Sequence, residues 1–176
     1  FGSVATGVAL LAGSVATGCP VFGSVATGVP VFGSAVTGCP VFGSVATGVI
    51  TVIDTATDTV AWSYKETSGI RPMIFDTNPD GSTRNIYVQL SDYHGIAIVD
   101  FATHKETKRW ELPDIPGEEK ELEGLQGAPA HGFAVTPDQK MLIATSKWYG
   151  TLYAYSIPDY KLIGHVQVGS HPEWIT

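Results

Sequence analysis

ITVIDTATDTVAW, at residues 50 to 62, is the first of three stretches that share one pattern; the others are IAIVDFATHKETKRW at 96 to 110 and TLYAYSIPDYKLIGH at 151 to 165. Each is an apolar strand, a polar turn and a second strand. Between them recur RPMIFDTNPDGSTRNIYVQLS at 71 to 91 and HGFAVTPDQKMLIATS at 131 to 146, in which a Pro-Asp turn joins two apolar strands. Short apolar runs bounded by turn signals predict an all-β chain from residue 50 onward.

The spacing of these segments tests whether the repeat has a fixed period. His131 and His171 lie 40 residues apart, and Ile96 and Thr151 lie 55 apart, which falls to 41 when the 14-residue acidic insert at 114 to 127 is left out. Four strands in about 40 to 45 residues is the period of a propeller blade. The runs IAIV, MLIA and GFAV are nearly continuous in apolar character, which indicates sheets covered on both faces.

The strand count predicts a partial β-propeller of four-stranded antiparallel blades. We expect two strands of a first blade, two complete blades, and one strand of a further blade from HPEWIT at 171 to 176, or about two and a half blades. Closed propellers have about 4 to 8 blades. The sequence therefore predicts a fragment, or one contributor to a ring, whose open blade edges invite self-association.

Residues 1 to 49 are of a different kind, a decapeptide tandem repeat such as GSVATGCPVF at 13 to 22. Recurring Gly and Pro exclude a helix, so short stacked strands or disorder are the alternatives. Cys19 and Cys39 occupy places that Val fills in neighbouring units, and their spacing matches no metal site or disulfide framework. We divide the chain into this low-complexity segment and a propeller segment at 50 to 176.

Charge and hydropathy exclude several classes of partner. The chain carries 10 Lys and Arg against 17 Asp and Glu, a formal charge of −7, which is a poor match for nucleic acid. Gly, Ser and Thr interrupt every apolar run, so we expect no transmembrane helix, and no signal peptide is visible in this sequence.

VIDTATDTV, HGFAVTPDQKMLIATS and GSHPEWIT resemble the bacterial YVTN-type β-propeller repeat, and the resemblance covers residues 50 to 176. That group is similar to lactonase-like, quinoprotein amine dehydrogenase heavy-chain-like and haem d1-binding propellers. The eponymous tetrapeptide departs from the pattern, reading YVQL at 87 to 90 and IATS at 143 to 146. The resemblance implies an exported bacterial protein, periplasmic or extracellular.

Polar residues recur in the connections that a propeller gathers at one rim, between the last strand of one blade and the first of the next, and between the second and third strands. The predicted rim residues are Arg71, His94, His131, Lys147, Trp148, Tyr149 and His171. Imidazoles bind metals or exchange protons near neutral pH. His131 and His171 are therefore candidate ligands for a divalent metal or haem, although they could instead hydrogen-bond neighbouring blade backbones.

The other rim residues also have two interpretations. Arg71 could clamp a carboxylate or form a simple ion pair, and Trp148 with Tyr149 could form a recognition platform or pack over the blade edge. Four glutamates of the insert, between residues 118 and 123, have no calcium-site spacing and are read as a solvated loop, with a lid as the alternative. No motif supplies a catalytic nucleophile.

These observations favour a non-catalytic binding or scaffold module that captures a protein or small-molecule ligand at the rim, with no cofactor expected. One alternative is an enzyme or redox subunit, either a lactonase-like hydrolase or a quinoprotein or haem d1-type propeller. The second is a structural surface-layer repeat protein. Fold alone does not decide among them, because propellers host many functions.

Overall fold

A computed structural model describes residues 30–34, 40–44, 47–123 and 127–175, and this part of the chain consists of strands, turns and loops. Within these described residues, twelve strands form three four-stranded antiparallel sheets. The first sheet contains β1 (Pro30–Ser34), β2 (Pro40–Ser44), β3 (Val49–Asp54) and β4 (Thr59–Lys65). The second contains β5 (Ile70–Thr77), β6 (Thr83–Leu90), β7 (Gly95–Asp100) and β8 (Lys105–Glu111). The third contains β9 (Phe133–Val135), β10 (Met141–Ser146), β11 (Thr151–Ser156) and β12 (Leu162–Gln167).

The three hairpins that open the sequence analysis share one local geometry. Each carries a register shift at the same place, after Val52 in β3, Ile98 in β7 and Ala154 in β11. Each turn also places one non-glycine residue at positive φ, namely Asp58, His104 and Tyr160, with φ between 54° and 58°. Such a residue fits the left-handed region that tight turns use. The internal repeat read from the sequence is therefore a repeat of structure.

Two apolar clusters hold the sheets together, and each lies between the facing sides of two neighbours. Between the first and second sheets, Ile50 and Val52 of β3 pack with residues of β5 to β7 such as Ile86 and Val88. Between the second and third sheets, the buried side chains are Tyr87, Ile96, Ile98, Phe133, Leu142, Ala144, Tyr153 and Tyr155. The second sheet is thus covered on both faces, as the continuous apolar runs predicted.

The predicted strand count needs two corrections. The first sheet has four strands, because Pro30–Ser34 and Pro40–Ser44 of the tandem repeat pair with each other and β2 pairs with β3. The sheet therefore crosses the predicted boundary at residues 49 and 50. Residues 171–175 form no strand, and Trp174 instead packs edge-on against His131. Cys19 and Cys39 lie outside the described residues.

Gly43 explains why the repeat serves as a strand of this sheet. It is buried in β2, and a Cβ atom built there would lie 2.2 Å from Cγ2 of Ile70. A side chain at this position would therefore displace the start of β5. The glycine that breaks helices in the repeat is what lets β2 approach the second sheet.

A buried amide ties the second sheet to the third. Gln89 is fully buried, accepts a hydrogen bond from the backbone N–H of Gly132 at 2.6 Å, and lies with its Nε2 3.4 Å from the Gly132 carbonyl. This carbonyl also accepts a bond from the backbone of Thr145. The Gly132 N–H depends on Gln89, because no other partner is within reach in the described part of the chain.

None of the described residues forms a helix of the length and apolar character that a membrane span requires.

Replacing Gln89 by Leu leaves the Gly132 N–H buried without an acceptor. We expect the free energy of unfolding to fall by about 1 to 3 kcal/mol, the cost of an unsatisfied buried donor. Urea denaturation followed by circular dichroism measures it. Gln167→Leu is the matched control, because Gln167 is exposed and its loss should cost less than about 0.5 kcal/mol. Equal losses in the two variants would contradict the role given to Gln89.

Candidate functional site

All seven residues predicted for the rim lie at the same end of the sheets. Arg71 is the second residue of β5, His94 precedes β7, His131 precedes β9, and His171 follows β12, while residues 147 to 149 connect β10 to β11. In antiparallel sheets these connections share one end. The structure divides the seven residues into two groups. The outer group is His94, Trp148 and Tyr149, and the inner group is Arg71, His131, Lys147 and His171.

The outer group centres on the ring of His94, which lies between the second and third sheets. Its Nε2 is 2.7 Å from the hydroxyl oxygen of Ser146 at the end of β10. The ring stacks on Trp148 with centroids 4.4 Å apart and meets Tyr149 edge-on at 5.9 Å. His94 therefore joins β7 of one sheet to the β10–β11 connection of the next.

Burial keeps His94 neutral at physiological pH. Desolvation, assisted by the positive charge of Lys120, lowers the pKa of His94 from 6.5 to about 4. Although Ser146 and His94 have the spacing of a nucleophile and its base, Ser146 is fully buried and its hydroxyl also receives the backbone N–H of Tyr149. No substrate can reach that hydroxyl in this conformation, so the pair serves as a link between sheets.

The acidic insert docks onto the outer group through Lys120 and Asp114, which also form an ion pair with each other. Lys120 lies with its Nζ 3.0 Å from the carboxylate of Asp114 and 4.4 Å from the centre of the Trp148 ring. The hydroxyl of Tyr149 donates a hydrogen bond of 2.8 Å to Asp114. These contacts hold the pKa of Asp114 below its ordinary value, chiefly through the bond from Tyr149. The insert is therefore exposed, as predicted, but anchored at these positions.

Trp148 lines two cavities at the rim. The larger, of about 380 Å³, lies between the second sheet and the insert. Its lining residues are Asp92, Tyr93, His94, Glu111, Leu112, Pro113, Asp114, Lys120 and Trp148. The smaller, of about 300 Å³, is lined by Glu119, Glu121, Trp148, Tyr149, Gly150, Gln167, Gly169 and Ser170. Carboxylates outnumber cations in both.

The inner group surrounds His131, which is buried at the start of β9. Its Nδ1 has no hydrogen-bond partner among the described residues, and its ring meets Trp174 edge-on at 5.1 Å. Burial lowers the pKa of His131, opposed by Glu173 and reinforced by the charges of Lys147 and Arg71. The imidazole of His131 is thus also neutral, because burial and the nearby positive charges of Lys147 and Arg71 disfavour its protonation.

The remaining inner residues are engaged within the protein. Lys147, which is almost fully buried, forms an ion pair of 2.7 Å with Glu173. Arg71 donates from Nε to the hydroxyl of Ser91 at 2.9 Å. The Nε2 of His171 lies 3.5 Å from a carboxylate oxygen of Glu121 in the insert. These contacts favour the structural interpretation offered above for the inner residues.

Among the described residues, no group of three His, Cys, Asp or Glu side chains is arranged to hold a metal ion. Sequence reasoning missed Asp114, Lys120 and Ser146. The first two belong to a charged run with no motif, and Ser146 follows an apolar strand as an ordinary turn residue would. Only the proximity of the insert to the β10–β11 connection brings them to the site.

Comparison with known proteins reveals likeness in structure alone. No family model and no curated protein matches the sequence. The solved structure of Kuenenia stuttgartiensis hydrazine synthase, a β-propeller-containing protein, superposes with a TM-score of 0.60 at 15% sequence identity. The match covers 78% of this chain and 35% of that one. This chain has a β-propeller-like fold. It spans about a third of the matched propeller protein's chain, and membership of the YVTN-type group stays a prediction.

The depressed pKa of His94 predicts an acid-sensitive propeller. The unfolded chain takes up a proton at this residue near pH 6.5 and the folded protein near pH 4, so the unfolded state binds more protons between these values. Stability therefore falls with falling pH, by about 2 kcal/mol between pH 7 and pH 5 from this group. His131 acts in the same direction.

Urea denaturation of the wild type and of His94→Gln at the two pH values measures this contribution. The difference in unfolding free energy between pH 7 and pH 5 should shrink by about 2 kcal/mol in the variant. His165→Gln is the control, because that ring is exposed on β12 and its substitution should leave the pH dependence unchanged. An unaltered pH dependence in His94→Gln would show that the buried imidazole protonates freely.

Proposed function

We propose that this chain is a non-catalytic binding module that captures a positively charged group at the rim, in the two cavities that share Trp148. The observation that carries the proposal is the ion pair of Lys120 with Asp114 beside the Trp148 ring. The chain's own ammonium group occupies a site of the kind that a ligand cation would use.

The charge of the cavity walls supports a cationic ligand. Five carboxylates line the two cavities, and Lys120 is the one Lys or Arg among the lining residues. The carboxylates are those of Asp92, Glu111, Asp114, Glu119 and Glu121. His94 adds no positive charge near pH 7, because its pKa is about 4. The formal charge of −7 for the whole chain acts in the same direction by steering cations toward the surface.

The aromatic ring defines what kind of cation fits. A cation within about 6 Å of an indole face is attracted by the ring's electron density, and a neighbouring carboxylate adds a charge-assisted hydrogen bond. Lys120 uses both, at 4.4 Å from the ring and 3.0 Å from Asp114. Alkylammonium and guanidinium groups, such as the lysine and arginine side chains of a peptide, have this chemistry.

The predicted alternatives of an enzyme or redox subunit and of a surface-layer protein remain hypotheses, as does export to the periplasm or beyond. The buried position of Ser146 and the internal pairing of Lys147 favour ligand capture over acyl transfer at this rim.

A tetralysine peptide tests the proposal, with tetraglutamate as the probe of opposite charge. We expect isothermal titration calorimetry to detect binding of tetralysine and none of tetraglutamate. The affinity for tetralysine should fall as salt is added, because the charges are exposed. Asp114→Asn should weaken binding about two- to fivefold, the range of an exposed ion pair.

Asp159→Asn is the matched control, because it removes the same charge from the turn between β11 and β12 at the opposite end of the sheets. Its affinity for tetralysine should equal that of the wild type. Similar weakening in both variants would show that tetralysine responds to net charge alone, and binding of tetraglutamate would contradict a cation site.

A further inference from the structure

Asp114 uses only one of its two carboxylate oxygens within the protein. Its Oδ1 lies 3.0 Å from the Nζ of Lys120 and accepts the hydrogen bond of 2.8 Å from the hydroxyl of Tyr149. No group among the described residues bonds to Oδ2, and the Asp114 side chain is 69% exposed. The carboxylate therefore keeps a second acceptor that Lys120 does not use.

The shape of a guanidinium group matches both oxygens of such a carboxylate. Its planar fork donates two parallel N–H bonds, whereas an ammonium group acts as a point charge. The guanidinium plane also stacks on aromatic faces, and Trp148 already has the Lys120 ammonium 4.4 Å from the centre of its ring. At this position an arginine side chain gains one hydrogen bond and a stacking contact that a lysine side chain lacks.

Lys120 sets the affinity that a ligand must exceed at this position. A ligand ammonium that displaces Lys120 takes over the contacts that Lys120 gives up, which are one oxygen of Asp114 and the ring of Trp148. The exchange of one ammonium for another therefore gains little. A guanidinium group makes more contacts than it replaces, so the chain's own lysine favours ligands that carry arginine.

The Lys120 side chain can leave while the insert stays docked. The backbone N–H of Glu121 donates a hydrogen bond of 2.8 Å to the carbonyl of Trp148, which fixes the insert next to Lys120. The Lys120 side chain is itself 37% exposed, so it can turn into solvent. Tyr149 continues to hold Asp114 through its hydroxyl. The acceptor and the ring thus stay in position for a ligand.

We propose that the rim site selects guanidinium over alkylammonium groups, and that an arginine side chain of a partner peptide displaces Lys120 from between Asp114 and Trp148. This inference rests on the proposed function and narrows its ligand to arginine-containing peptides. Asp92 and Glu111 line the same cavity and add negative charge that attracts a basic peptide.

Calorimetric titration with tetraarginine and tetralysine, two peptides of equal formal charge, tests the selectivity. We expect tetraarginine to bind the wild type about three- to tenfold more tightly, from the second hydrogen bond and the stacking. Equal affinities would overturn the selectivity and leave cation capture standing. If neither peptide bound, both the selectivity and the proposed function would be wrong.

Asp114→Asn tests whether the preference arises at this carboxylate. The amide offers no pair of oxygens to a fork, so tetraarginine should lose more affinity than tetralysine, and the two should bind within about twofold of each other. Asp159→Asn is the matched control, because it removes the same charge from the turn between β11 and β12 and should keep the wild-type ratio. A preference that persists in Asp114→Asn would originate elsewhere on the acidic surface and overturn the inference.

Lys120→Gln tests the displacement itself. Without the competing ammonium, both peptides should bind about three- to tenfold more tightly and by the same factor, because neither has to break the ion pair and the ring contact. Lys161→Gln is the control, since it removes the same charge from an exposed pair with Asp159, and it should change either affinity by less than about twofold. Unchanged affinities in Lys120→Gln, or equal gains in both variants, would show that Lys120 does not occupy the ligand site. Circular dichroism of each variant confirms that its sheets are intact.

Discussion

The second sheet carries apolar side chains on both faces, and a neighbouring sheet covers each of them. This constraint accounts for the stack, because Ile86 and Val88 of β6 face the first sheet while Tyr87 between them faces the third. A free sheet of this composition would expose large apolar surfaces to water, at a cost of about 25 cal/mol for each Å². Alternate side chains of a strand in the second sheet therefore pack against two neighbouring sheets, instead of one set facing a core and the other facing solvent.

Polar groups fix the order and the angle of the sheets, because hydrogen bonds are directional and apolar packing alone is not. Gln89 binds the backbone of Gly132 in the gap between the second and third sheets, and His94 binds Ser146 across the same gap at the rim. At the opposite end, the buried carboxylate of Asp76 accepts bonds from Arg84, from Asn85 and from the hydroxyl of Tyr87, which lies 3.3 Å from the hydroxyl of Tyr160 in the third sheet. Hydrogen bonds thus connect the second and third sheets at both ends and in the middle of their interface.

The sequence carried enough information to predict the repeat, the all-β class and the shared rim, because strands, turns and period are local properties. Two features escaped it. The strands at Pro30–Ser34 and Pro40–Ser44 were hidden in a tandem repeat, where nothing local tells a paired strand from an unpaired one. The cluster of Lys120 with Asp114 and Trp148 depends on how a loop folds back over a neighbouring sheet, which spacing along the chain does not encode.

The proposed cation site lies where the second and third sheets meet. Its walls come from the second sheet, the third sheet and the insert between them, and none from the first sheet. Because Trp148 and Asp114 belong to one chain, a single copy already holds both the aromatic ring and the carboxylate.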